Sequence, residues 1–214
     1  MDKNQKYVIT INRELGSGGR TVGRKLAEKL NVPFYDKALI NELKKKFNLD
    51  TEQIEKLKSG KSDWWREFIN SALYLGQGMN ELWYYQRMTG KEGFLVTSSD
   101  MFEQDKEILS KVAEEESCII AGRSGFSVFA NHPNHLSILI QAPLEHRIQR
   151  IMSKQELSRE EAEKVIKKVD EMRENYVKKY SGTSRYDTRN YDLVINMEGK
   201  TEDEAVNLIL QYIG

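Results

Sequence analysis

A single cysteine, Cys118, occurs in the whole sequence. Its solitude excludes an intramolecular disulfide and a cysteine-built zinc site. Within the apolar run around it, it reads as an inert core thiol. Prolines number only 3, which argues against a proline-rich linker or a disordered tail. An excess of one charge is also missing: 33 Lys and Arg balance 33 Asp and Glu, for a formal net charge of zero. That excludes a polycation coating nucleic acid, so no nucleic-acid polymer is expected as partner and any basic site must be a local cluster. No run approaches the roughly 20 apolar residues that span a bilayer. The opening Met1-Asp-Lys-Asn-Gln-Lys6 has no apolar signal segment. No membrane partner and a cytoplasmic location are therefore expected. With 39% apolar residues over 214, the chain can build one sizeable core in a single domain.

Apolar patterning alternates between two periods. Tyr7-Val-Ile-Thr-Ile11, Ser117-Cys-Ile-Ile-Ala121, Leu136-Ser-Ile-Leu-Ile140 and Tyr191-Asp-Leu-Val-Ile-Asn196 are short, β-branched and continuous, as buried parallel strands are. Val32-Pro-Phe-Tyr35 is a further short extended piece, with Asp36 placed to cap the helix after it. Between these runs, Val22/Leu26/Leu30, Leu39/Ile40/Leu43/Phe47, Phe102/Ile108/Leu109/Val112 and Leu144/Ile148/Ile151 recur at helical spacing. Ser158 to Glu161 and Thr201 to Glu204 carry the spacing of capping boxes, opening a long charged helix to about residue 180 and a terminal helix. Residues 50–93 are irregular, helical in pattern and aromatic. The expected architecture is α/β: a three-layer, doubly wound parallel sheet of about five strands with a helical insertion.

The first strand runs straight into Gly16-Ser17-Gly18-Gly19, followed by Arg20 and Thr21. A glycine turn between strand and helix lets backbone N–H groups converge on an anion, with the helix dipole adding positive potential. Arg20 would add a cation, and Thr21 a hydroxyl suited to Mg²⁺. A tight strand-to-helix turn that binds nothing would use the same glycines.

The run Ile9-Thr-Ile-Asn-Arg-Glu-Leu-Gly-Ser-Gly-Gly-Arg20, then Pro33-Phe-Tyr-Asp-Lys37, resembles the cytidylate kinase-like family of P-loop proteins. So do Ile119-Ile-Ala-Gly-Arg123, Ala142-Pro-Leu-Glu-His-Arg-Ile-Gln-Arg150 and Arg189-Asn-Tyr-Asp-Leu-Val-Ile-Asn196, in the family's order. The resemblance implies a P-loop NTPase fold with a core at about 1–48 and 94–214. A monophosphate-side insertion at about 49–93 and a lid at about 153–185 complete it. It implies an ATP-dependent kinase of nucleoside monophosphates, CMP or dCMP first, with Mg²⁺. It also implies Gly16–Thr21 as the ATP site and Thr21 as the metal-side hydroxyl.

The chain departs from the P-loop pattern G-x-x-x-x-G-K-[ST] at two places. Glu14 stands at the first glycine and Arg20 at the lysine. Glu14 is expected to face away or to pair, with Arg13 the adjacent cation. Ser124 replaces the aspartate of a Gly-Arg-Asp motif, and no acid stands near Ala121. These departures keep two alternatives open: a catalytically weakened nucleotide-binding regulatory protein, or a P-loop kinase of another small molecule.

Phosphoryl transfer needs aligned reactants and neutralised charge, so arginines on separate elements are the signature to seek. Arg123, at the end of a buried strand, resembles the arginine that holds the acceptor monophosphate. Arg20, Arg150 and Arg173 are the expected charge stabilisers. Arg147 fits either the same role or a solvated face. Asp170 and Arg173 share the spacing of the family's lid. Asp36 matches an acceptor-side aspartate, and Arg185 and Arg189 lie on a loop able to reach the crevice. Arg66 and Arg87 are candidates for base recognition within the insertion. The aromatics there fit a stacked base, packed core or a homo-oligomer surface. His132, His135 and His146 read as structural.

Overall fold

The computed structural model describes residues 1–46 and 99–214. The insertion expected at 49–93, with Arg66, Arg87 and its aromatics, lies outside the described residues. Among those described, the elements in chain order are β1 (Val8–Arg13), α1 (Gly19–Leu30), β2 (Phe34–Asp36), α2 (Lys37–Lys46), α3 (Ser99–Glu115), β3 (Cys118–Ala121), α4 (Gly125–Val128), β4 (His135–Gln141), α5 (Leu144–Gln155), α6 (Arg159–Ser181), a 3-10 turn (Thr188–Asn190), β5 (Leu193–Asn196) and α7 (Glu202–Ile213).

Five strands form one parallel sheet in the order β2-β3-β1-β4-β5. β1 sits at the centre, where the order of connection reverses, and pairs Ile9 with Ile119 on one side and Leu136 on the other. Its continuous apolar run follows from burial on both faces. On one face Val22, Leu26 and Ala27 of α1 and Ala205, Val206 and Ile209 of α7 pack over Ile9, Ile11, Ile138 and Ile140. On the other, α4 packs so closely that a Cβ on Gly125 would lie 2.9 Å from Thr10 Cγ2.

A second apolar cluster joins Leu15, Ile148 and Ile151 to Ala162, Ile166 and Val169. It docks α6 onto α5 and onto the loop that follows β1. The two expected capping boxes are formed, Ser158 with Glu161 and Thr201 with Glu204. Asp36 caps as expected, its Oδ1 accepting from the Leu39 N–H at 2.9 Å. Cys118 is buried, and burial pushes its thiol pKa far up. No helix among the described residues is long and apolar enough to cross a membrane.

Candidate functional site

In an open parallel sheet the ligand crevice lies outside the strand C-termini at the point where the order reverses. Here that point is the end of β1, and the glycine turn follows it. Gly16 and Gly18 have φ of +82° and +83°, a region that glycine enters without steric cost. The Ser17 hydroxyl donates to the Glu14 carbonyl at 2.9 Å and accepts from the Gly19 N–H at 3.3 Å, so the loop is braced from within. α1 begins at Gly19 with no side-chain cap, and the positive end of its dipole opens on the turn.

Three arginines pack against these glycines through backbone or side-chain atoms. A Cβ on Gly16 would meet the Arg147 carbonyl at 2.8 Å, one on Gly18 the Arg150 Cζ at 3.6 Å, and one on Gly19 the Arg13 Cβ at 2.7 Å. Arg150 also donates from Nη2 to the Thr21 hydroxyl at 3.3 Å, while its Nη1 pairs with Glu202 Oε1 at 2.7 Å. Arg173 donates from Nη1 to the Arg13 carbonyl at 3.1 Å, and Arg185 Nη2 donates to the same oxygen.

Asp170 gathers this cluster. Its Oδ1 accepts from the Leu15 N–H at 3.0 Å and faces Arg185 Nη1 at 3.5 Å, while Oδ2 accepts from Arg147 Nη1 at 2.5 Å. Arg173 Nη1 lies 3.9 Å from Oδ1. Four elements thus place cations at one strand end: β1, α5, α6 and the loop after α6. Burial lowers the Arg185 pKa first and neighbouring Arg173 second, with Asp170 opposing.

Several expected residues sit differently from their sequence expectation. Glu14 pairs with Arg147, Oε2 to Nε at 3.7 Å, rather than with Arg13, and accepts from the Ala142 N–H at 3.0 Å. It therefore faces away from the glycines and ties the turn to the β4–α5 connection. Arg20 lies in a buried ion pair, Nε to Asp36 Oδ2 at 2.7 Å. Asp36 is thereby engaged by Arg20 and Leu39, at the end of β2, rather than open to an acceptor. Arg189 does not join the cluster: it is 88% exposed and holds Asp187 on the 3-10 turn. Arg147, by contrast, is largely enclosed among the site's charges and is no solvated face.

Arg123 ends β3 in a strained turn. Gly122, Arg123 and Ser124 are all left-handed, at φ of +82°, +57° and +52°. Two consecutive non-glycine residues there store strain that the surroundings must hold. Arg123 Nη2 pairs with Asp105 Oδ2, and its Cζ lies 5.1 Å from the Tyr176 ring centroid. Lys44 Nζ reaches the other oxygen, Asp105 Oδ1, at 3.2 Å.

Sequence reasoning missed Asp105, Lys44 and Glu202 and gave Arg13 no site role. Asp105 carried a signal: it lies on the Phe102/Ile108/Leu109/Val112 stripe of α3, where a lone carboxylate is expected to be paired. Arg13 carried a weaker one, as the charged residue between a buried strand and a glycine turn. His135 is structural as read, its Nε2 2.8 Å from Thr10 Oγ1. Burial lowers its pKa to about 4.

The sequence profile of the cytidylate kinase-like family matches residues 8–199. A protein named cytidylate kinase from Sulfolobus acidocaldarius is 26% identical over 211 residues, spanning 96% of this chain and 93% of its own. One of the same name from Methanopyrus kandleri is 24% identical, over 94% of this chain and 90% of its own. Among solved structures, an uncharacterised protein from Eubacterium ventriosum superposes with a TM-score of 0.70 at 25% identity, covering 98% of each chain. The shikimate kinase of Acinetobacter baumannii, at 16% identity and a TM-score of 0.50 over 99% of this chain and 97% of its own, shares the fold. The α/β P-loop architecture expected from the sequence is thus present.

Proposed function

The chain belongs to the cytidylate kinase-like family, and on that footing we propose that it transfers the terminal phosphoryl group of ATP to a nucleoside monophosphate, with CMP or dCMP as acceptor. The observation that carries this reading is the gathering of Arg13, Arg147, Arg150, Arg173 and Arg185 about the end of β1 and its glycine turn, outnumbering the carboxylates Glu14, Asp170 and Glu202 among them. So many cations at one strand end fit a polyanionic ligand. The names of the relatives support a nucleotide kinase.

The donor phosphates are assigned to Gly16–Thr21, where the missing Cβ atoms let the turn pack directly against Arg13 and Arg147. Preorganised cations lower the barrier because charge spreads over the transferring group and the site need not reorganise. Arg150 and Arg173 fit that role from two different helices. Arg20, anchored through Nε on Asp36, adds a positive charge at the first turn of α1. Arg123 fits the acceptor phosphate. Mg²⁺ would supply charge neutralisation beside Thr21. The Thr21 oxygen now accepts from Arg150, so the metal fits only with that guanidinium moved aside. Residues 153–185 act as the lid.

An assay coupling ADP release to a spectrophotometric readout, run across the common nucleoside monophosphates, tests the reading. Turnover with CMP or dCMP above the others supports it. Absence of turnover with every monophosphate, alongside calorimetric ATP binding, would favour a regulatory nucleotide-binding protein. The Arg20–Asp36 pair is the observation behind that second reading, since it occupies the residue at the usual lysine position.

A further inference from the structure

One buried carboxylate, Asp105, lies between two cations from different elements. Arg123 takes Oδ2 and Lys44 takes Oδ1 at 3.2 Å. All three side chains are largely buried, Lys44 at 13%, Arg123 at 5% and Asp105 at 2% exposure. Both carboxylate oxygens are engaged, one by each cation. A long lysine side chain loses rotamer freedom and hydration when it is held there. Burial, and then the nearby Arg123 charge, lowers the Lys44 pKa to about 8. Two cations on one carboxylate leave the position with a net positive charge, which an anion arriving there would offset.

Two further observations point the same way. The left-handed run Gly122-Arg123-Ser124 aims this segment out of the end of β3, towards the ligand side of the sheet. The Ser124 hydroxyl, in that same turn, is buried with no hydrogen-bond partner in the structure, which a ligand oxygen would satisfy. Asp36, in register with Ala121 at the end of β2, is occupied by Arg20, so the neighbouring strand end offers no competing carboxylate from that position.

We propose that Lys44 is a second binding residue for the phosphate monoester of the acceptor, held beside Arg123 by Asp105 as a positioning residue. This deepens the kinase reading and rests on it. Asp105 orients two donors through its two oxygens, and the phosphate takes the remaining N–H groups of Lys44. Removing Lys44 leaves Asp105 paired with Arg123, so the fold loses a cation without stranding a buried charge.

The test compares the wild-type protein with Lys44→Met and Lys44→Arg, each first checked for an unchanged thermal midpoint. Steady-state kinetics with CMP and ATP should show the KM for CMP raised about tenfold or more in Lys44→Met, in line with one charged hydrogen bond. Its kcat and its KM for ATP should stay within about twofold. Lys44→Arg should recover most of the loss. An unchanged KM for CMP, or an equal rise in the KM for ATP, overturns the proposal while the kinase reading stands. If the wild type turns over no monophosphate, the kinase reading fails instead. Lys44 is then judged by calorimetric titration with CMP and with inorganic phosphate in the absence of ATP. Binding weakened about tenfold in Lys44→Met sustains the role of Lys44 as an anion ligand; equal binding, or no binding to the wild type, overturns it.

Discussion

Arg20 donates through Nε to Asp36 Oδ2 over 2.7 Å, and both side chains are buried. The contact links the first turn of α1 to the end of β2, so the cation beside the glycine turn is fixed from the adjoining strand end. Asp36→Ala would leave a buried guanidinium without its counter-charge and remove the cap at the Leu39 N–H. A loss of about 3–5 kcal/mol in unfolding free energy is expected. Urea unfolding followed by circular dichroism measures it, and a loss under about 1 kcal/mol would mean that the pair contributes little.

Gly16→Ala meets two obstacles at once. Its φ of +82° is left-handed, and its Cβ would press the Arg147 carbonyl at 2.8 Å. The left-handed conformation alone costs about 1–2 kcal/mol, and α5 must shift as well. ATP affinity, read by calorimetry, is expected to fall at least tenfold. Gly199→Ala is the control: at φ +67° with nothing within 4 Å, it should cost stability only through the backbone and leave ATP affinity unchanged.

Asp170 accepts from the Leu15 N–H and from Arg147 and faces Arg185, joining α6 to the glycine turn and to α5. Asp170→Ala would orphan that amide and take the nearest carboxylate from Arg147 and Arg185, leaving Arg147 with Glu14 and Arg185 with the Arg13 carbonyl. The expected cost is about 3–5 kcal/mol. α6 should loosen first, read as faster hydrogen exchange across residues 159–181 than in the sheet. Uniform acceleration across both would show that Asp170 holds the whole fold rather than this junction.

Acid should weaken the fold through His135. Its folded-state pKa of about 4 lies below the ordinary value of 6.5, because burial disfavours the charged ring. Between those values the unfolded chain binds more protons, so stability is present above about pH 6.5 and falls as pH drops towards 4. The full effect is up to about 3 kcal/mol. Urea midpoints at pH 7 and pH 4.5 measure the drop, and His135→Gln, which retains a side-chain partner for Thr10, should shrink it. An equal drop in that variant would assign the acid sensitivity to the carboxylates.

Strands β1, β3 and β4 were legible because a strand buried on both faces must be apolar at every position, and few other structures make that demand. The capping boxes of α6 and α7 were legible because they are closed within four residues. Arg123 stood out by its position after a buried strand and Arg150 beside an apolar helical stripe; the folded chain puts the first at the end of β3 and the second against Thr21. The pairings were not legible. Glu14 chose Arg147, 133 residues further along the sequence, over the adjacent Arg13, because the β4–α5 connection brings the Ala142 N–H and Arg147 to the same carboxylate. Arg189 looked like a site arginine until its side chain was seen to fold back on Asp187, two residues away.

The amino-acid order alone thus determined the α/β alternation, the strand–glycine turn–helix unit and the family, since these depend on local periodicity and on backbone freedom at single residues. Which carboxylate each arginine meets was decided only in the folded molecule. The pairs Arg20–Asp36, Arg123–Asp105, Arg147–Glu14 and Arg150–Glu202 all span distant segments, and side-chain composition does not say which charges the packing of α5 and α6 against the end of β1 will bring within hydrogen-bond reach.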